Sequence, residues 1–386
     1  MCAILKPKSK PKPITYHFLS VADPRKEHNK VHKLIDIIMI AITGVIAGCE
    51  SWVEIEEFGH DRELWLRTFL TLPGGIPSHD TIGRVFSLID PKQFQTCFAE
   101  WMQSVVQLTD GEVIAIDGKT NRRTSGGRSK DGSVTKALHL VSAFATTNGV
   151  ALGQLATDQK SNEITAIPEL LKLLDISDCL VTTDAMGCQA DIAADIVSKG
   201  GDYLLAVKGN QGLLYRDIKV CFAGTTLARD TNTTENNGHG RIEKRVCEVL
   251  SGPDIIAKLR HKNNWVKLNT IVKVTATRTV TSTGETHTST ESRYYICSLK
   301  CPTAERIQAA VRAHWGIENK LHWTLDMAMR EDESRIRTDH APANMAVLRH
   351  IALNLIRSDT SRKVGVKISQ RKAGRSTRYM EHLLGW

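Results

Sequence analysis

The sequence lacks a paired cysteine framework: nine cysteines are scattered through 386 residues with no regular spacing. It also lacks the charged segment, apolar core and small-residue cleavage site of a secretory leader. Both absences lead us to expect a cytosolic protein with reduced thiols. A membrane-spanning run is missing as well. The most apolar stretch, IDIIMIAITGVIAG from Ile35 to Gly48, is interrupted by Asp36 and falls short of the roughly 20 residues that cross a bilayer. A buried helix is expected there, and no membrane partner. No internal repeat or long low-complexity tract is present, so the chain reads as roughly two or three ordinary globular domains.

Two familiar ligand motifs are absent too. Gly118-Lys119-Thr120 has the letters that end a phosphate-binding loop, but the glycine that the loop requires ahead of them is Val113. Cys297, Cys301, His314 and His322 approach a zinc-finger spacing. The two histidines are eight helical residues apart, about 12 Å of rise, too far for both to grip one zinc ion.

What is present is basic charge. Lys and Arg number 51 against 42 Asp and Glu, a formal charge of +9. This suits a polyanionic partner such as nucleic acid, and also many proteins that bind none. The excess gathers at the ends, in KPKSKPKP from Lys6 to Pro13 and in Arg357, Arg362, Lys363, Lys367, Arg371, Lys372, Arg375 and Arg378. Both segments are expected to be solvated basic arms, either solubilising tails or phosphate contacts.

Helical patterning runs from His32 to about Trp101. In GIPSHDTIGRVFSLID, Ser78 is placed to cap a helix whose Ile82, Val85, Phe86 and Ile89 make one apolar stripe. His79, Asp80, Thr81, Gly83, Arg84 and Ser87 are then expected to face outward. The pattern fits a recognition helix with Arg84 near DNA as well as it fits plain helical packing.

After Asp110 strands and helices alternate, which predicts an α/β sheet. A polar, β-rich block from about Gly212 to Leu299 interrupts it before helix resumes at Thr303. The expected division is a helical region over 1–108, an α/β domain over 109–211 and 301–356 split by a β-rich insertion over 212–300, and a basic tail over 357–386.

Two acids stand out. VIAIDGKT brings Asp117 to the end of a short apolar strand, with Gly118 expected to let the chain turn, and CLVTTDAMG does the same for Asp184. Acids delivered by two strands to one sheet edge are how an α/β fold builds a divalent-metal site. Either could instead serve a turn or cap a helix. In HWGIENKLHWTLDMAMRED a continuous helix would gather Ile317, Leu321, Leu325 and Ala328 into an apolar stripe with Glu318 at its margin, as a third acid or as a surface glutamate. His314 and His322 flank Glu318 by one turn each, fit to orient it, to touch phosphate or to pack structurally. Lys119 and Lys208, beside the strand ends, are candidate phosphate contacts or solvated lysines.

The segments GIPSHDTIGRVF, VIAIDGKT, DQKSNEITAIPELL, VTTDAMGCQ, GGDYLLAVKGNQ, GHGRIEK, RYYICSL and HWGIENKLHW occur in order between His32 and Ile356. Together they resemble the DDE insertion-sequence transposases of the H-repeat-associated group, found in bacteria. The resemblance implies a ribonuclease-H-like catalytic domain with a β-rich insertion, preceded by a helical domain. It places Asp117, Asp184 and Glu318 at the acid positions, expected to converge on one or two Mg²⁺ ions about 4 Å apart, with Mn²⁺ able to substitute. It implies cleavage at element ends and strand transfer, with terminal inverted repeats and target DNA as partners and a homo-oligomer on DNA in the bacterial nucleoid. A nuclease that cuts without joining, or a domesticated DNA-binding relic, would keep much of the same sequence. Related transposases often carry Tyr, Arg and Lys around the glutamate. Val311, His314 and Leu325 stand there instead, so the DNA contacts of that signature do not carry over.

Overall fold

Helix caps and apolar stripes are easily traced in the computed structural model, which describes residues 12–126, 136–157, 163–224, 229–238, 241–282, 285–361 and 363–385. Most of the Lys6–Pro13 stretch, Arg362, and residues 158–162 and 239–240 of two of the motifs above lie outside these. The chain forms two compact units: unit 1 is Met1–Gln107, Gly118–Leu174 and Glu318–Trp386, and unit 2 is Leu108–Asp117 and Asp175–Ile317. The strands are β1 Val113–Asn121, β2 Leu138–Ala145, β3 Val150–Thr157, β4 Leu180–Thr183, β5 Asp202–Val207, β6 Asp230–Gly238, β7 Arg241–Ser251, β8 Thr270–Ser282 and β9 Glu285–Cys297.

Unit 1 is built on the apolar run. Leu34–Ala47 is a helix whose residues Asp36 to Ile46 are all buried, and it stops at Gly48, whose φ of 99° is the left-handed conformation that glycine adopts without strain. Among the described residues no single helix is long and apolar enough to cross a membrane. Ser51 caps the next helix, Trp52–Asp61, by accepting from the Glu54 amide. Asp90 with Pro91 at the first position starts Pro91–Val105.

The long helix Ala341–Ser358 packs on the apolar helix, on His79–Leu88, on Pro91–Val105 and on β3. Two buried asparagines fix its register. Asn354 accepts from the Ala151 amide at 3.0 Å and donates to the Ala151 carbonyl at 2.8 Å, so it joins β3 like one more strand residue. Asn344 donates to the carbonyls of Phe86 and Ile89, two of the groups that the end of His79–Leu88 leaves open. β2 and β3 form an antiparallel hairpin in the same unit.

His79–Leu88 has the expected Ser78 cap and buries Ile82, Val85 and Phe86, with Ile89 just beyond it also buried. Of the residues expected to face outward, His79, Asp80 and Arg84 are exposed and Thr81 is half-buried, while Ser87 and Gly83 differ from expectation. Ser87 is buried, donating to the Arg84 carbonyl, and Gly83 lies under Trp52, whose ring an added Cβ would approach to 3.0 Å. Trp52 of the neighbouring helix covers Gly83, where sequence alone placed open surface.

The carboxyl-terminal segment is not a solvated arm. It forms two helices, Val366–Arg375 and Thr377–Leu384, that bury Ser369, Gln370, Ala373, Tyr379, Met380, Leu383 and Leu384 and contact the apolar helix. The basic residues mask this, because the first of these helices buries small and polar side chains rather than an aliphatic stripe.

In unit 2 the strand order is β1-β4-β5-β9-β8-β7-β6. β1, β4 and β5 run parallel, and β9, β8, β7 and β6 continue the sheet antiparallel. The β-rich block is thus the sheet's own extension, entered through the helix Gly212–Gly224. One face is covered by Ala304–His314, whose Ala304, Ile307, Ala310 and Val311 pack with Leu180, Leu204, Cys247, Val249, Val272, Val274, Tyr295 and Cys297.

Candidate active site

Register determines where the two aspartates point. Val113 pairs with Leu180 and Ile116 with Thr183, so Asp117 and Asp184 stand side by side one residue past the last registered pair. Side chains alternate along a strand. Leu180 and Val113 pack towards Ala304–His314, and Asp184 and Asp117, four residues on from each, face the same way. They lie at the carboxyl end of the parallel strands, the edge where α/β sheets place their ligands.

Asp184 is exposed. Its Oδ1 accepts from the amides of Met186 at 2.9 Å and Gly187 at 3.2 Å. Those bonds fix the carboxylate in a turn ahead of Ala190–Ser198, whose own cap position is Gln189. Asp117 is half-buried. β1 does not turn at Gly118 but runs on to Asn121. Space, rather than a turn, explains the glycine: an added Cβ would sit 2.3 Å from Glu163 Oε1 and 2.7 Å from His139 Nε2.

Behind Asp184, Thr182 Oγ1 lies 2.9 Å from His314 Nδ1. Burial pushes His314 down to about 4, against the pull of Asp184, so the imidazole is neutral near pH 7. Lys208, one residue past the end of β5, is exposed at the same sheet edge. Arg84 in unit 1 is exposed as well.

Glu318 belongs to unit 1 and is exposed. The helix that sequence predicts there is not continuous. Ala304–His314 ends, a π-helical turn spans Ile317–His322, and Trp323–Met329 follows. Such wide turns recur at functional sites. Ile317, Leu321 and Leu325 are buried as expected, Ala328 is only half-buried, and Glu318, expected at the margin of this stripe, is exposed. Among the described residues no three His, Cys, Asp or Glu side chains are gathered as a metal site.

Lys119 is not a free cation. Its ammonium lies 2.7 Å from Asp326, 2.9 Å from Glu331 and 3.0 Å from Asn121, which occupies all three donors within unit 1. Burial opposes the charge, but Glu331 and Asp326 hold the lysine above its usual value. Glu331 is buried, and Lys119 and Arg349 overcome that burial to bring it down to about 2. His322 is buried too, held down at about 3 by desolvation and by Lys119, so it is not placed to contact phosphate. Beside this cluster, His139 Nδ1 is 2.8 Å from Thr120 Oγ1 and its Nε2 is 2.7 Å from Glu163. Sequence reasoning missed Glu331, His139 and Glu163. Their partners are remote in the chain, and the only trace was the acidic run Glu331–Glu333.

Two family models match in succession: "DDE_Tnp_1-associated" over residues 15–102 and "Transposase DDE domain" over residues 108–355. The chain is 40% identical over 376 residues to the "H repeat-associated putative transposase YhhI" of Escherichia coli (strain K12), covering 97% of this chain and 98% of that one. It is 43% identical over 371 residues to the "Putative transposase YncI" of Escherichia coli O157:H7, covering 95% and 93%. Among solved structures, the "Cryo-EM structure of piggyBac transposase synaptic complex with hairpin DNA (SNHP)" aligns over 97% of this chain and 77% of that chain, at 10% identity and a TM-score of 0.41. That likeness is too slight to support any inference. The family matches are not: with a helical amino-terminal region ahead of a ribonuclease-H-like domain, this chain belongs to the DDE transposase family, as a relative of the H-repeat-associated transposases.

Proposed function

We propose that this protein cuts DNA at the ends of a mobile element and joins the freed 3′ ends to target DNA, using divalent metal held by Asp117, Asp184 and Glu318. The observation that carries the reading is the placement of Asp117 and Asp184, adjacent on parallel strands and on one face of the sheet edge. Carboxylate oxygens are the hard donors that Mg²⁺ or Mn²⁺ prefers, and the two amides on Asp184 Oδ1 preset its orientation. Glu318 is assigned as third ligand on its place in HWGIENKLHW. When bound, the metal would supply Lewis-acid stabilisation for in-line displacement at phosphorus.

The other residues have supporting parts. His314, neutral and bonded to Thr182, braces the strand that delivers Asp184. Lys208, exposed just past the end of β5, is assigned as a cation that meets a phosphate at the sheet edge. DNA is the proposed partner, with the protein acting as an oligomer on it.

Asp184→Asn tests the assignment, because it keeps size and hydrogen bonding but removes the charge that holds a metal. On terminal-repeat DNA, wild type is expected to give cut and joined products on a gel. The variant is expected to fold and to bind DNA while losing cleavage by at least about 100-fold, as fits an interaction made in the transition state. Near-normal Mg²⁺-dependent cleavage by the variant would leave Asp184 as only a turn former. Cutting without joining by wild type would reduce the protein to a nuclease, and a gel shift with neither would make it a DNA-binding relic.

A further inference from the structure

The β-rich extension has two faces of different chemistry. On one, threonine and serine hydroxyls pair across β8 and β9: Thr275 with Ser292 at 3.1 Å, Thr277 with Thr290 at 3.3 Å and Thr279 with Thr288 at 3.1 Å. The other begins as the apolar surface under Ala304–His314. Past Cys247, Val274 and Arg293, which share one row across β7, β8 and β9, that face turns basic.

The register fixes the membership. Arg245 and Arg241 follow Cys247 on the same side of β7, and Arg278 on β8 pairs with Glu243 between them. Arg312 joins from the last turn of Ala304–His314, and Arg293 lies over the Trp315 ring at 4.8 Å. Turned so that its oxygen meets the guanidiniums, the Asn236 side chain accepts from both Arg245 and Arg312 at 3.1 Å. Gln308, one turn before Arg312, donates to Thr234 at 2.9 Å and so anchors the helix over this corner.

Among the described residues, the acids that pair with these five arginines are Glu243, with Arg245 at 2.6 Å and also with Arg241, and Glu291, with Arg293 at 3.0 Å. Burial, and then the like charges of Arg312 and Arg241, make Arg245 harder to protonate. Lys208 is close enough to help Arg293 hold Glu291 ionised. The basic row therefore reaches from the sheet edge that bears Asp184 out along the extension.

We infer that this arginine face of β7, β8 and β9, with Arg312, is a docking surface for the phosphate backbone of duplex DNA. Several guanidiniums sharing too few carboxylates suit bidentate pairing with phosphate oxygens. The hydroxyl face, with no such excess, does not. The inference rests on the DNA-processing reading above.

The test uses the full-length protein and a fluorescent duplex titrated at several salt concentrations. Arg241→Gln, Arg278→Gln and Arg312→Gln are combined, and Lys244→Gln on the opposite side of β7 is the control. Removing one arginine–phosphate pairing should lower the slope of log K against log salt by about 0.9. The triple variant is expected to lose about 2–3 from the slope and to bind at least about 10-fold more weakly at low salt, with an unchanged melting temperature and a control that binds like wild type. A folded triple variant with the wild-type slope, or an equal loss in Lys244→Gln, would overturn the docking surface while leaving the function standing. Wild type that shows no salt-dependent DNA binding would overturn both.

Discussion

Lys119 shows how far a residue's role can depend on the fold. In the sequence it is a lysine beside a candidate catalytic acid, and phosphate is the natural partner to expect. In the structure its side chain is 10% exposed and its partner Glu331 is fully buried. Lys119→Met should therefore destabilise the protein by about 3–5 kcal/mol, because the buried Glu331 carboxylate loses its hydrogen-bonded counter-charge and keeps only the Coulombic pull of Arg349. Urea denaturation monitored by circular dichroism would show this, and replacing Glu331 with Leu in the same chain should recover much of the loss. A stable Lys119→Met that fails only in DNA binding would instead restore the phosphate role. Asp117 and Asp184 were legible because short apolar runs, VIAI and CLVTT, mark the strands that carry them. Glu331 was not, because nothing in a single sequence says which of Glu331, Asp332 and Glu333 turns inward.

At the scale of elements, periodicity was a good guide wherever apolar residues alone decide a face, as in Leu34–Ala47 and in the Ile82, Val85, Phe86 stripe. It misled where polar residues are buried or the period changes. Ser87 and Gly83 were given to solvent, yet one is buried and the other is covered by Trp52. The π-helical turn at Ile317–His322 breaks the regular period assumed for the glutamate segment. The basic carboxyl-terminal segment hid two helices that contact the apolar helix. Deleting residues 366–386 should thus lower the melting temperature by at least about 5 °C through loss of buried Tyr379, Met380, Leu383 and Leu384. Calorimetry of the truncated chain measures it. An unchanged melting temperature with weaker DNA binding would return the segment to the role of a phosphate-binding arm.

For the molecule as a whole, the α/β class and the β-rich block before the glutamate were readable from the order of patterns. The continuation of one sheet through that block was not, since strand order depends on pairing between remote segments. The chain changes unit at Asp117–Gly118 and again at Ile317–Glu318, so two of the three acids lie at unit boundaries along the sequence. The central claim is that these acids are metal ligands, and a change of ligand softness tests it most directly. In Asp184→Cys a thiolate replaces the hard carboxylate. Cleavage of terminal-repeat DNA is expected to be lost with Mg²⁺ and partly restored with Mn²⁺, which accepts softer ligands better. Wild-type cleavage by Asp184→Cys in Mg²⁺ alone would contradict the account.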